Sequence, residues 1–157
     1  MRPSRDEEEH IATHYLDLVG LLLGGGSRYF DGALRADRQD LRAAFAAGGY
    51  QVLSSRAELL ASLRTGRMLG LFGAGHLPYE IDRSAGSASD AVPTLAEMTT
   101  AALAALHGSP RGFLLQVEGG RIDHAAHAND AAGALREMLA FDDALIAVSS
   151  EIWRRKN

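Results

Sequence analysis

Four side chains that can hold a metal or move a proton fall close together in the stretch VEGGRIDHAAH, Val117 to His127: Glu118, Asp123, His124 and His127. On a helix, Asp123 and His127 stand one turn apart and share a face. A carboxylate and an imidazole presented together suit a borderline cation such as zinc. Glu118, a hard oxygen donor, suits magnesium or a second position. Two metals ~4 Å apart, held around one such turn, form the kind of site that carries out phosphoryl transfer. The plain reading of the same residues stays open. Asp123 also suits a helix N-cap and His127 a surface histidine, and the D-x-x-x-H spacing is common by chance.

The motif needs a frame to hold it. The apolar run GFLLQV just before it reads as a strand, and from Ile122 to about Trp153 the pattern is helical with one break. Between them, Gly119 and Gly120 permit a tight turn and close backbone approach. In open α/β sheets ligands bind at the carboxyl ends of strands, which is where this turn falls. Upstream, residues from Arg5 to Leu16 form a helix, with an apolar stripe at Ile11, Tyr15 and Leu18. LVGLLLGGG reads as a buried strand with a tight exit. ADRQDLRAAFAAGGY is a helix opened by an aspartate and closed by Gly48 and Gly49. YQVL and MLGLF are strands, separated by the helix in SSRAELLASLRTG with Ser54 or Ser55 as its cap. Gly73 to Val92 reads as one long loop. PTLAEMTTAALAALHG is a helix with Pro93 near its start and Gly108 at its end. This alternation predicts an α/β fold, with a mostly parallel sheet flanked by helices on both faces. The 157 residues fit a single α/β domain, 1–157.

Composition narrows the partners. The chain is 46 % apolar, enough for a sizeable core, and carries a net charge of -4. That charge, with scattered Lys and Arg, argues against nucleic acid. Arg154, Arg155 and Lys156 read as a solvated tail. With no cysteine, disulfides and thiolate metal sites are excluded. The apolar runs are too short to span a bilayer, so no membrane partner is expected. The first sixteen residues lack the apolar run of a signal peptide. His10 and His14, four apart, permit a metal, but after DEEE they read better as an exposed face. His76 falls in the loop. His107 falls at a helix C-terminus, where positive charge is favoured. Ser27 after GGG reads as a strand-exit turn rather than a phosphate cradle.

VEGGRIDHAAHANDAAGALREMLAFDDAL closely resembles the metal-binding segment of the alkaline phosphatases. LLLGGGSRYF, AGGYQVLSSRAELL, LGLFGAGHLPYEIDR and PTLAEMTTAALAALHGSPRGFLLQ look like consecutive blocks of the same family in the same order, from about residue 10 to residue 148. The resemblance implies hydrolysis of phosphate monoesters, with inorganic phosphate as a further ligand, at a cluster of Zn2+ and Mg2+. Glu118 would be a magnesium ligand, and Asp123 and His127 ligands of one zinc. His124 would contact the phosphate through water. The family's nucleophilic serine, in a D-S-A type segment, has no counterpart among these residues. Nor do several of its other metal ligands. The resemblance is therefore to the central segment of the enzyme, with no catalytic nucleophile in this chain and the 157 residues inactive alone. Members of the family are typically periplasmic or secreted. A partial sheet implies self-association or a homodimer. Other readings stay open: a non-catalytic metal-binding fragment or partner-associating remnant, a relative in the wider binuclear-metal superfamily, and a plain α/β binding module.

Overall fold

Short apolar segments build the sheet, two of them leaving it through glycine. The computed structural model describes residues 7–62, 66–86 and 88–156. In chain order its elements are α1 (Glu8–Leu18), β1 (Leu21–Gly24), a single 3-10 turn (Ser27–Tyr29), α2 (Leu41–Ala47), β2 (Tyr50–Leu53), α3 (Arg56–Ala61), β3 (Arg67–Leu71), α4 (Glu80–Ala85), α5 (Ala88–Ala91), α6 (Leu95–Leu106), α7 (Arg121–His127) and α8 (Ala131–Lys156). They fall into two compact units, one of residues up to 55 with 66–77, the other of 56–65 with 78–157. No described helix is long and apolar enough to cross a membrane.

The first unit holds the sheet. β3 runs parallel to both neighbours, in the order β1-β3-β2, with Leu22 opposite Leu69 on one side and Val52 opposite Leu69 on the other. Parallel strands need crossovers, and the expected helices supply them. Asp40 caps α2 as its position suggested, its carboxylate accepting from the Ala43 amide at 3.1 Å. Beneath lies an aromatic cluster, in which Phe45 meets Phe30 and Tyr50 edge-on at ring centroid distances of 5.8 and 4.7 Å. At Gly70 an added Cβ would sit 2.5 Å from Phe72 Cζ and 2.8 Å from Leu23 Cδ2, so a larger residue would displace both side chains. At the carboxyl ends of β1 and β3, Gly25 and Gly26 lie against Gly73 to Gly75, with the Gly26 amide donating to the Gly75 carbonyl at 2.7 Å and that of Ser27 to Gly73 at 2.9 Å.

Arg35 fastens the segment after the 3-10 turn. Its guanidinium is fully buried, forks onto Asp37, and donates to the carbonyls of Glu9 and Tyr29 at 2.8 and 2.6 Å. On α1 the buried position is Ala12 rather than the expected Leu18, which is exposed. Leu18 is the last residue of the helix, so it passes the edge of the cluster that Tyr15 and Leu16 flank.

In the second unit α8 is the central beam, packing on α6, α7 and α4. Buried alanines at 101, 102, 125 and 144 let these helices approach closely. A capping box opens α6, with Thr94 accepting from the Glu97 amide while Glu97 accepts from that of Thr94. Glu97 also takes a bidentate hydrogen bond from Arg56 of α3.

Two expectations fail locally. Residues 112–117 are not a strand, and Leu114 is 95 % exposed. A strand exists only as a partner in a ladder, and apolarity does not supply one. Gly112, at φ +76, turns the chain just as the run begins. The long loop at 73–92 in turn contains α4 and α5. Arg83 forks onto Glu80 within α4, and the distant Glu137 carboxylate accepts from the Glu80 amide at 2.5 Å. The α/β class and the parallel sheet are as expected, as is the break in the last helical segment, which falls at 128–130.

Candidate functional site

The two glycines of the motif have separate jobs. At Gly119 an added Cβ would lie 2.9 Å from Ile122 Cδ1 and 3.3 Å from Phe141 Cδ2, so a side chain there would push Ile122 aside where α7 meets Phe141 of α8. The Ile122 amide closes the turn onto the Gly119 carbonyl at 3.1 Å. Gly120 takes the N-cap position with no side-chain cap. The Glu118 carboxylate folds back over it, its Oε1 3.4 Å from where a Cβ would stand. Asp123 is therefore not the cap. It sits within the first turn of α7, where its charge opposes the positive helix end. The helix closes when the Ala128 amide bonds to the His124 carbonyl and Asn129 turns left-handed at φ +55. Asp130 then caps α8 through the Gly133 amide at 2.9 Å.

This folding brings Asp123 and His127 together and leaves Glu118 apart from them. Asp123 Oδ1 lies 3.5 Å from His127 Nε2, with the two side chains 74 % and 81 % exposed. An oxygen and a nitrogen donor one turn apart and open to solvent can grip a divalent ion from one side. Among the described residues no group of three or more His, Asp or Glu side chains converges as on one ion. The donor pair is thus chemically suited to zinc but incomplete, since protein zinc sites ordinarily use at least three protein ligands. Glu118 is exposed at the end of the irregular stretch.

His124 is half-buried and differently held. Arg121 NH1 lies 3.1 Å from its Nδ1. The same guanidinium stacks on Tyr79, with its carbon 3.6 Å from the ring centroid. Arg121 Nε, buried, finds no conventional acceptor, and the ring face is the surface that receives the cation. Arg121 could have been found in the motif, three residues before His124 on the same helix face. Tyr79, before α4, gave no signal at all. The remaining four histidines sit elsewhere: His10 and His14 touch edge-on at 4.6 Å on the exposed side of α1, His76 is exposed between β3 and α4, and His107 pairs with Glu151 at 2.8 Å. The side chains of Arg154, Arg155 and Lys156 lie outside the described residues.

A parallel α/β fold with an open acid–histidine pair on one short helix defines the class in structural terms. The alkaline phosphatase family profile matches residues 3–156, and the chain belongs to that family. The crystal structure of Thermus thermophilus alkaline phosphatase is 47 % identical, with a TM-score of 0.90 over 98 % of this chain and 32 % of that one. Alkaline phosphatase 3 of Bacillus subtilis is 38 % identical over 148 residues, 90 % of this chain and 30 % of its own length. The streptomycin-6-phosphate phosphatase of Streptomyces griseus is 40 % identical over 158 residues, covering 81 % and 34 %. The chain spans about a third of the length of these relatives.

Proposed function

We propose that this chain is part of a phosphomonoester hydrolase domain and contributes one portion of its metal centre. Asp123 and His127 would hold one zinc, and Glu118 a magnesium. The observation that carries the reading is the juxtaposition of Asp123 and His127 on the solvent-open face of α7, at 3.5 Å, in a chain of the alkaline phosphatase family. Bound zinc supplies Lewis acidity and brings the pKa of bound water to about 7. The chain's own residues orient the substrate side of that centre. His124 faces a phosphoryl oxygen through water, and Gly119 lets α7 pack closely beside Ile122 and Phe141. The serine that attacks phosphorus in this family has no counterpart here, so the 157 residues alone bind metal and phosphate without turnover. The setting follows the family, in the periplasm or outside the cell, and the substrates are small phosphate monoesters.

The test is hydrolysis of a chromogenic phosphate monoester at alkaline pH, with zinc and magnesium supplied, beside calorimetric zinc titration of the wild type and of Asp123→Ala. The expected result is zinc binding that Asp123→Ala abolishes, without turnover. Turnover lost in Asp123→Ala would overturn the partial-site reading, and absence of zinc binding the metal assignment. The second reading, a non-catalytic metal-binding or partner-associating remnant, predicts zinc binding with no response to inorganic phosphate. It draws on the lack of a third converging ligand among the described residues.

A further inference from the structure

We infer that Arg121 is a positioning residue that fixes which nitrogen of His124 carries the ring hydrogen, and so fixes His124 as a hydrogen-bond donor from Nε2. The inference rests on the proposed phosphatase reading only for what that donor meets. An arginine guanidinium has five N–H donors and no acceptor. With NH1 3.1 Å from His124 Nδ1, that nitrogen must offer its lone pair. The hydrogen of the neutral ring is then on Nε2. A histidine held this way presents a donor, the polarity that a phosphoryl oxygen or its bridging water accepts.

The arrangement is built rather than incidental. Arg121 and His124 are three apart on α7, so their side chains overlie on one face. The guanidinium cannot swing away freely, because Tyr79 lies beneath it at 3.6 Å. Tyr79 is itself held where α4 begins: the buried Glu137 of α8 accepts from the very next amide, that of Glu80, at 2.5 Å. The line of support runs from α8 through the start of α4 and the Tyr79 ring to Arg121 and Nδ1 of His124. The buried, unpaired Nε–H of Arg121 argues the same way. An exposed arginine would turn to water, whereas this one gives up a hydrogen bond to keep its place on the ring.

The measurement is a long-range proton–nitrogen correlation of the 15N-labelled metal-free chain, at a pH where the histidines are neutral. Wild type should show His124 as a single Nε2–H tautomer. Arg121→Met keeps the apolar stem and removes the donor, and should convert that signal to a mixed tautomer population. Arg121→Lys, which keeps a donor, should restore much of the single form, and Tyr79→Leu should loosen it. A mixed or Nδ1–H His124 in the wild type overturns the inference without any variant having to fold. So does a folded Arg121→Met with an unchanged spectrum. Inorganic phosphate added to the zinc- and magnesium-loaded wild type then separates the two claims. A shift of the Nε2–H resonance supports the phosphate-facing role. A fixed tautomer that phosphate leaves unmoved overturns that part of the functional reading while Arg121's control of the ring stands.

Discussion

Replacing Asp123 with asparagine separates a ligand from a structural residue, because the geometry gives the two roles different magnitudes. In the metal-free chain Asp123 contacts His127 at 3.5 Å, and both side chains are mostly exposed. Exposed helical pairs of this spacing contribute about 0.3–0.5 kcal/mol. Its place in the first turn of α7 adds about 0.3–1 kcal/mol through the helix dipole. Asp123→Asn should therefore cost roughly 1 kcal/mol of metal-free stability in urea unfolding. Zinc at a free concentration one hundred times its Kd stabilises a binding fold by about 2.7 kcal/mol. Wild type should show an increment of that order, reduced by whatever zinc the unfolded histidines take. Asp123→Asn, left with one imidazole at that position, should lose nearly all of it at the same zinc concentration. An undiminished zinc increment in the variant would refute the ligand assignment. A metal-free loss well above ~2 kcal/mol would show instead that Asp123 serves the fold.

Three further outcomes follow from the same structure. Arg56 holds the Glu97 carboxyl below its ordinary range, chiefly by direct hydrogen bonding; a depressed carboxylate pKa contributes stability above the unfolded value, ~4.3, and loses it as pH falls through the folded one, so Arg56→Met should flatten the acid limb of a stability–pH profile below about pH 5 and leave its slope near neutrality unchanged. Arg35→Met strips donors from the carbonyls of Glu9 and Tyr29 and should cost about 2–5 kcal/mol by chemical denaturation, and Asp37→Asn, which leaves the fully buried guanidinium without its counter-charge, should cost about 3–5 kcal/mol. The exposed Leu135, Met138, Leu139, Leu145 and Ile146 on α8 should drive self-association of the chain in sedimentation experiments, and Leu139→Lys with Ile146→Lys should shift it toward monomer; an unchanged association constant would place the contact elsewhere.

What the sequence made legible divides along a physical line. Elements whose signals are local were readable: Asp40 caps α2 from its own chain position, Gly48 and Gly49 end that helix, and YQVL and MLGLF became β2 and β3. Asp123 and His127 were legible as neighbours because the helix repeat alone sets their spacing. GFLLQV carried as strong an apolar signal as the true strands and formed none, because a ladder depends on a second segment whose position no local pattern encodes. The start of α4 was hidden for the same reason, its cap being a carboxylate far along the chain at Glu137. Tyr79 shows the limit most plainly. Nothing in PYEID marks the tyrosine as a platform, and its role exists only once α7 lays Arg121 across it. The motif's letters thus place Asp123 and His127 side by side, while the contacts of His124 between them come from Arg121 and, through it, from a Tyr79 that only the fold brings near.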